Sequence, residues 1–153
     1  MERPSYLPFD CQPDPKNPGW YTWDIADMTR FNGHALGHLI ARKEGDMGAR
    51  LRLIPGHQHS NIHDAVHGGA LLALIDAALF SGAAIALGPA LVGAVTLDLA
   101  TQFIGAGRLG QPLDVVTQVL KETGRLAFVR GLVEQGDHLV ASFTGTLRKT
   151  ART

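Results

Sequence analysis

The stretch GALLALIDAALFSGAAIAL, Gly69–Leu87, decides how this chain folds. Nearly every side chain in it is apolar or tiny, and Asp76 is its one carboxylate. A run of about 18 residues lies within the ordinary range of a globular helix. A helix that is apolar on all sides must be buried over most of its surface. Ala70, Ala73, Ala77, Ser81 and Ala84 recur at spacings of three or four, a stripe of small side chains that lets another backbone come close. That neighbour is either a sheet or a partner helix. Gly88-Pro89 ends the helix, because proline lacks the N–H and restricts the residue before it.

The rest of the chain supplies the cover. Ahead of the helix, HALGHLIARKEG (34–45) and MGARLRLIPG (47–56) read as two strands joined by a turn at EGDMG. Leu51 and Leu53 alternate with Arg50 and Arg52, as in a half-buried strand. After the helix come four more strand-like runs, LVGAVTLDLATQFI, LDVVTQVLKE, RLAFVRGLVEQ and HLVASFTGTLRK, with glycine in each intervening turn. These four read as an antiparallel meander. The polar segment HQHSNIHDAVHG (57–68) reads as a loop. Residues 1–32 read as a Pro-rich arm with a short helix in DIADMTRFN ending before Gly33, and 33–153 as a single domain. The fold class is α+β, most simply a curved antiparallel sheet of six strands wrapped around one long helix.

Composition narrows the function. Fourteen basic and fourteen acidic residues cancel, leaving no electrostatic footprint for nucleic acid and no basic patch for a membrane. Cys11 is the single cysteine, so no disulfide framework and no cysteine-based metal site is expected. The N-terminus lacks the basic start and apolar core of a signal peptide, which points to a cytoplasmic protein. Between Asp76 and Asp98 lie 21 uncharged residues, a spanning length, but LGPAL (87–91) interrupts them. A membrane span is therefore not expected.

Asp76 is the residue out of place. An ionised carboxylate in an apolar setting needs a partner or a shifted pKa. One reading is structural, a carboxylate bonded to a neighbouring hydroxyl. The other is chemical and draws on the VHGG that opens the helix. The first backbone N–H groups of a helix have no internal partners and sit at the positive end of its dipole. Glycines at Gly68 and Gly69 would let a substrate oxygen approach those amides. Amide donors for developing negative charge, together with a carboxylate base, are the minimum equipment for acyl transfer to water. A competing reading takes His57, His59, His63 and His67 as zinc ligands of a metallohydrolase. Against it, no second ligand cluster follows; only His138 remains downstream.

Asn61, HGG at His67–Gly69 and Asp76, in that spacing and followed by the strands from Gly93 to Lys149, resemble the hotdog-fold acyl-CoA thioesterases of the PaaI-like (phenylacetate-pathway) type. The resemblance covers residues 33–149 and implies a sheet wrapped around a central helix. It also implies dimers joined edge to edge, often paired into tetramers, with active sites at the dimer interface and no cofactor. By position, Asp76 matches the catalytic carboxylate, as general base or nucleophile. Gly68 matches the glycine whose N–H polarises the thioester carbonyl. Asn61 matches an amide supplied by the opposite subunit, and Thr96 a hydroxyl that orients water or is simply structural. His67 is the motif histidine, catalytic or merely a helix cap. A CoA substrate needs phosphate contacts, for which Arg108, Lys121 and Arg125 are the candidates. Phe80, Phe103 and Phe128 are candidates to line an aliphatic tunnel or an aryl slot. A non-catalytic acyl-CoA-binding domain of the same fold is the alternative.

Overall fold

A computed structural model describes residues 6 and 8–151. Along them run β1 (Phe9–Asp10), β2 (Tyr21–Thr22), β3 (Asp24–Ile25), α1 (Phe31–Ala35), β4 (Ile40–Lys43), β5 (Gly48–Leu53), α2 (Gly68–Leu87), β6 (Val95–Phe103), β7 (Leu113–Glu122), β8 (Leu126–Gln135) and β9 (His138–Arg148). Single 3-10 turns occupy His57–His59 and Pro89–Gly93. The main sheet has seven strands in the order β2-β4-β5-β7-β8-β9-β6, each neighbouring pair antiparallel. β1 and β3 form a separate two-stranded ribbon.

α2 is the axis of the core. Leu71, Leu74, Ile75, Leu79 and Ala83 are buried against Leu51, Leu53, Val115, Val129, Val133, Phe143 and Leu147 from the sheet. By length and composition α2 could cross a membrane, yet most of it is buried inside the fold. The sheet also presses close at Gly82, where a methyl group would collide with the Thr117 side chain of β7. A glycine is needed at that contact.

Three readings of the sequence are corrected. The four downstream strands do not form a meander, because β6 pairs with β9 at the far edge and β7 pairs with β5. Tight turns between β7 and β8, and between β8 and β9, leave no choice but hairpins. The longer loop 104–112 lets the chain cross instead. The short helix is also displaced, lying at Phe31–Ala35 and running through Gly33. Asp27 closes a local turn onto the backbone and hydroxyl of Thr29, which diverts DIADMT from helix. The sheet gains a seventh strand because Tyr21–Thr22 pairs with β4.

On the face of the sheet turned away from α2, the alternating arginines are not free in solvent. Arg50 bonds Glu44, Asp114 and Glu134, and Arg52 grips Asp114 through two nitrogens. The guanidinium groups of Arg42 and Arg52 lie 4.7 and 4.4 Å from the Trp20 ring centre. Asp114 is buried at 6% exposure, and its removal leaves Arg52 without a carboxylate partner while Arg50 keeps Glu44 and Glu134. Asp114→Ala is expected to cost about 3 kcal/mol in urea unfolding at neutral pH. Hydrogen bonds from Arg50 hold the Glu44 carboxyl below its usual range. A depressed carboxylate stabilises the fold above its unfolded pKa and stops doing so as pH falls through the folded value. Stability should therefore decline below about pH 4.5, and Glu44→Gln should lessen that decline.

Candidate active site

Asp76 lies on the one side of α2 that the sheet leaves partly open, together with Gly69, Leu72 and Phe80. The carboxylate is half-buried, and Thr96 Oγ1 donates a hydrogen bond to its Oδ1 at 2.8 Å. Thr96 reaches it because β6 runs past this side of the helix, with a bulge between Thr96 and Asp98. Two of the residues singled out from the sequence thus meet. The hydroxyl bond leaves the second carboxylate oxygen available for a proton.

The start of α2 is built by the loop before it. His67 is the N-cap, its backbone extended, and its Nδ1 accepts the N–H of Gly69 at 2.8 Å. A helix cap is thereby the role that His67 fills. Gly69 is consequently occupied, and a methyl there would press on the His67 ring at 3.0 Å. Gly68 differs. The atoms nearest to a Cβ at that position are two ring carbons of Phe103, both at 3.6 Å, an ordinary contact. Alanine would fit at Gly68 without collision, against the Phe103 ring.

Asn61 belongs to the same loop. Its Oδ1 accepts the N–H groups of His63 and Ala65, and its own N–H bonds the Ala65 carbonyl. Its Nδ2 makes no hydrogen bond to the described residues. Ser60 bridges to Val66, and Val66 bonds Gly107, so the loop is pinned beside the segment after β6. His59 is the anchor that the sequence did not reveal. It is 3% exposed, takes the Gly56 N–H on Nδ1 and gives its Nε2 proton to the Leu36 carbonyl. Among the described residues no three metal-binding side chains converge. His59 and His67 are spent on backbone groups.

The singled-out residues therefore fall into two clusters, candidate half-sites of one active site. Asn61, His67 and Gly68 stand at the start of α2, and Asp76 with Thr96 eight residues on. Eight residues of helix rise about 12 Å, too far for one carbonyl to meet both. The three phosphate candidates are not brought together in the chain either. Arg108 bridges to Ala65 beside the first half-site, whereas Lys121 and Arg125 sit at the opposite end of β7, an exposed hairpin tip. A concavity of about 850 Å³ lies on the outward face of the sheet between Arg50, Gln118, Arg130, Leu132, Ser142 and Thr144. It contains none of these groups, and the chemistry does not point there.

Comparison with known proteins agrees with the geometry. The Thioesterase superfamily model matches residues 63–142, just over half of the chain, and this span contains Gly68, Asp76 and Thr96. A Pseudomonas aeruginosa protein provisionally named an esterase is 33% identical over 72% of this chain and 81% of its own. A mutant of the phenylacetic acid degradation protein PaaI from Thermus thermophilus is 26% identical, with a TM-score of 0.61 over 73% of this chain and 93% of that one. A hypothetical thioesterase from Streptococcus pneumoniae, solved with coenzyme A, superposes with a TM-score of 0.70 at 19% identity, covering 84% and 98%. The half-sites along α2, the sheet around that helix and these likenesses lead to one conclusion: the chain belongs to the Thioesterase superfamily, as a PaaI-like member with the hotdog fold.

Proposed function

We propose that the protein hydrolyses an acyl-CoA thioester in the cytoplasm, as a homodimer whose two active sites are each shared between subunits. The observation that carries this reading is the separation of the two half-sites within one chain. β6 links them, with Phe103 beside Gly68 at one end and Thr96 bonded to Asp76 at the other. It is also the last strand of the sheet, about 30 Å of edge with unpaired N–H and C=O groups. Val95, Leu97 and Phe103 are all exposed along it. A second copy pairing antiparallel about a two-fold axis near Leu99 and Ala100 would set its Thr96 and Asp76 opposite Phe103 and Gly68. Each end of the joined strands would then hold one complete site.

The chemistry follows. The Gly68 N–H polarises the thioester carbonyl from the positive end of α2. Asp76 of the other subunit, steadied by Thr96, takes a proton from water as the oxygen attacks the carbonyl carbon. Collapse breaks the C–S bond, and CoA leaves as the thiol once it gains a proton, giving the free acid. Asn61 positions the water or the carbonyl. Arg108 of one subunit and Lys121 and Arg125 of the other would reach the same end of the joined sheet, suited to the CoA phosphates. The coenzyme A held by the Streptococcus pneumoniae protein supports this choice of ligand. Two such dimers would pair into a tetramer.

The test is a hydrolysis screen over short, medium, long and aryl acyl-CoA thioesters, read as thiol release. Turnover of at least one class is expected, unchanged after exhaustive dialysis against a chelator. Binding without turnover would make the protein an acyl-CoA-binding domain. Activity lost to the chelator and restored by zinc would return the histidine loop to the mechanism.

A further inference from the structure

We infer that Phe103 is the specificity-determining wall of the acyl site, the surface against which the carbons next to the thioester carbonyl lie. The inference rests on the reading of Gly68 as the carbonyl-polarising amide and deepens it. Three phenylalanines could have lined the acyl group, and the structure separates them. Phe128 lies on the outward face of the sheet, its backbone registered with Lys121 and Thr146, away from α2. Phe80 is half-buried on α2, one turn beyond Asp76 on the same side. Phe103 alone stands at the start of the helix, with Cε1 and Cζ each 3.6 Å from the point where a Gly68 side chain would begin. Within 4 Å of that point, outside the local chain, these two atoms are the only ones among the described residues.

The space beside the Gly68 Cα is thus bounded on one side by a single apolar ring. Its backbone is fixed opposite Ala141 of β9, yet 56% of the residue remains exposed. An exposed phenylalanine held by its backbone while its ring covers a helix N-terminus is not serving the core. Leu36, Leu74, Val115 and Leu147 fill that role with almost no exposure. An oxygen drawn to the Gly68 N–H carries its acyl carbons into the space beside it. The smaller the acyl group, the less of the ring it meets. An acetyl group offers one methyl, whereas longer or bulkier groups bury more surface on the ring. Removing one methylene of pocket contact alters kcat/KM about 10-fold or more.

The experiment compares kcat/KM of wild type, Phe103→Ala and Phe103→Leu on acetyl-, butanoyl-, octanoyl- and benzoyl-CoA, with thermal melts of each variant. Phe103→Ala should lose about 10-fold to 100-fold on butanoyl and larger groups and less than about threefold on acetyl. Phe103→Leu, which restores apolar bulk without the flat ring, should recover most of the loss on the linear chains and little of that on benzoyl. A loss of equal size across the series would assign Phe103 to the fold or to dimer contact and overturn the inference. So would no change at all. If wild type cleaves no thioester, the reading of the site fails and this inference falls with it, which sets that outcome apart from an active enzyme with an unchanged profile. A variant that melts early is judged by Phe103→Leu, whose selectivity must still shift between octanoyl and benzoyl.

Discussion

Asp76→Asn should lower kcat by about 100-fold or more while leaving the fold and the affinity for substrate in place. The amide has the size of the carboxylate and can still accept the Thr96 hydroxyl hydrogen bond, so the local packing has no reason to change. What disappears is the group that takes a proton from water. Steady-state kinetics on the best thioester, a thermal melt and a binding titration with a non-hydrolysable analogue separate the possibilities. Normal turnover in the asparagine variant would remove Asp76 from the mechanism. Unfolding would make it the structural carboxylate, since its half-buried position permits that role as well. Thr96→Val serves as the companion. Without its hydrogen bond the carboxylate loses orientation rather than function, and a smaller loss, about 10-fold, is expected.

The second large effect is recovery of activity by mixing two dead proteins. Asn61→Ala and Asp76→Ala should each be inactive alone. After subunit exchange, half of the dimers at random pairing contain one chain of each kind. In such a dimer one site carries both substitutions and the other carries neither. Activity should therefore return to about a quarter of wild type, by the symmetry of an isologous pair. The prediction rests on the 12 Å that α2 places between Gly68 and Asp76 and on the unpaired edge of β6. No recovery, with exchange confirmed by a fluorescence label, would put both residues in one subunit's site. A proline at Thr101, mid-edge on β6, gives an independent check, since the Thr101 N–H faces the proposed seam while those of Ala100 and Gln102 face β9, and its loss should weaken self-association.

Much of this molecule was legible in the order of its residues. α2 was readable because a long apolar run must be buried and Gly-Pro must end it; the helix spans Gly68–Leu87, one residue longer than the sequence reading. β7, β8 and β9 were readable from alternation and from the turns between them. Asp76 stood out because a carboxylate is costly among apolar side chains, and Gly68 because a helix start with glycine exposes its amides. These are local facts, set by chemistry within a few residues.

Tertiary structure decided the rest. β6 went to the sheet edge rather than beside β7, because a long loop does not dictate a neighbour as a tight turn does. That placement brought Thr96 to Asp76, put Phe103 over Gly68 and left an open seam. Arg50 and Arg52 read from sequence as solvated strand positions, but Glu44, Asp114 and Glu134 converge on them from other segments of the chain. His59 read as a candidate ligand until Leu36, 23 residues away, took its proton. The physical reason is the same each time. Burial and periodicity are written within one segment, whereas a hydrogen-bond partner comes from whichever segment the fold sets opposite, and no spacing along the chain encodes it.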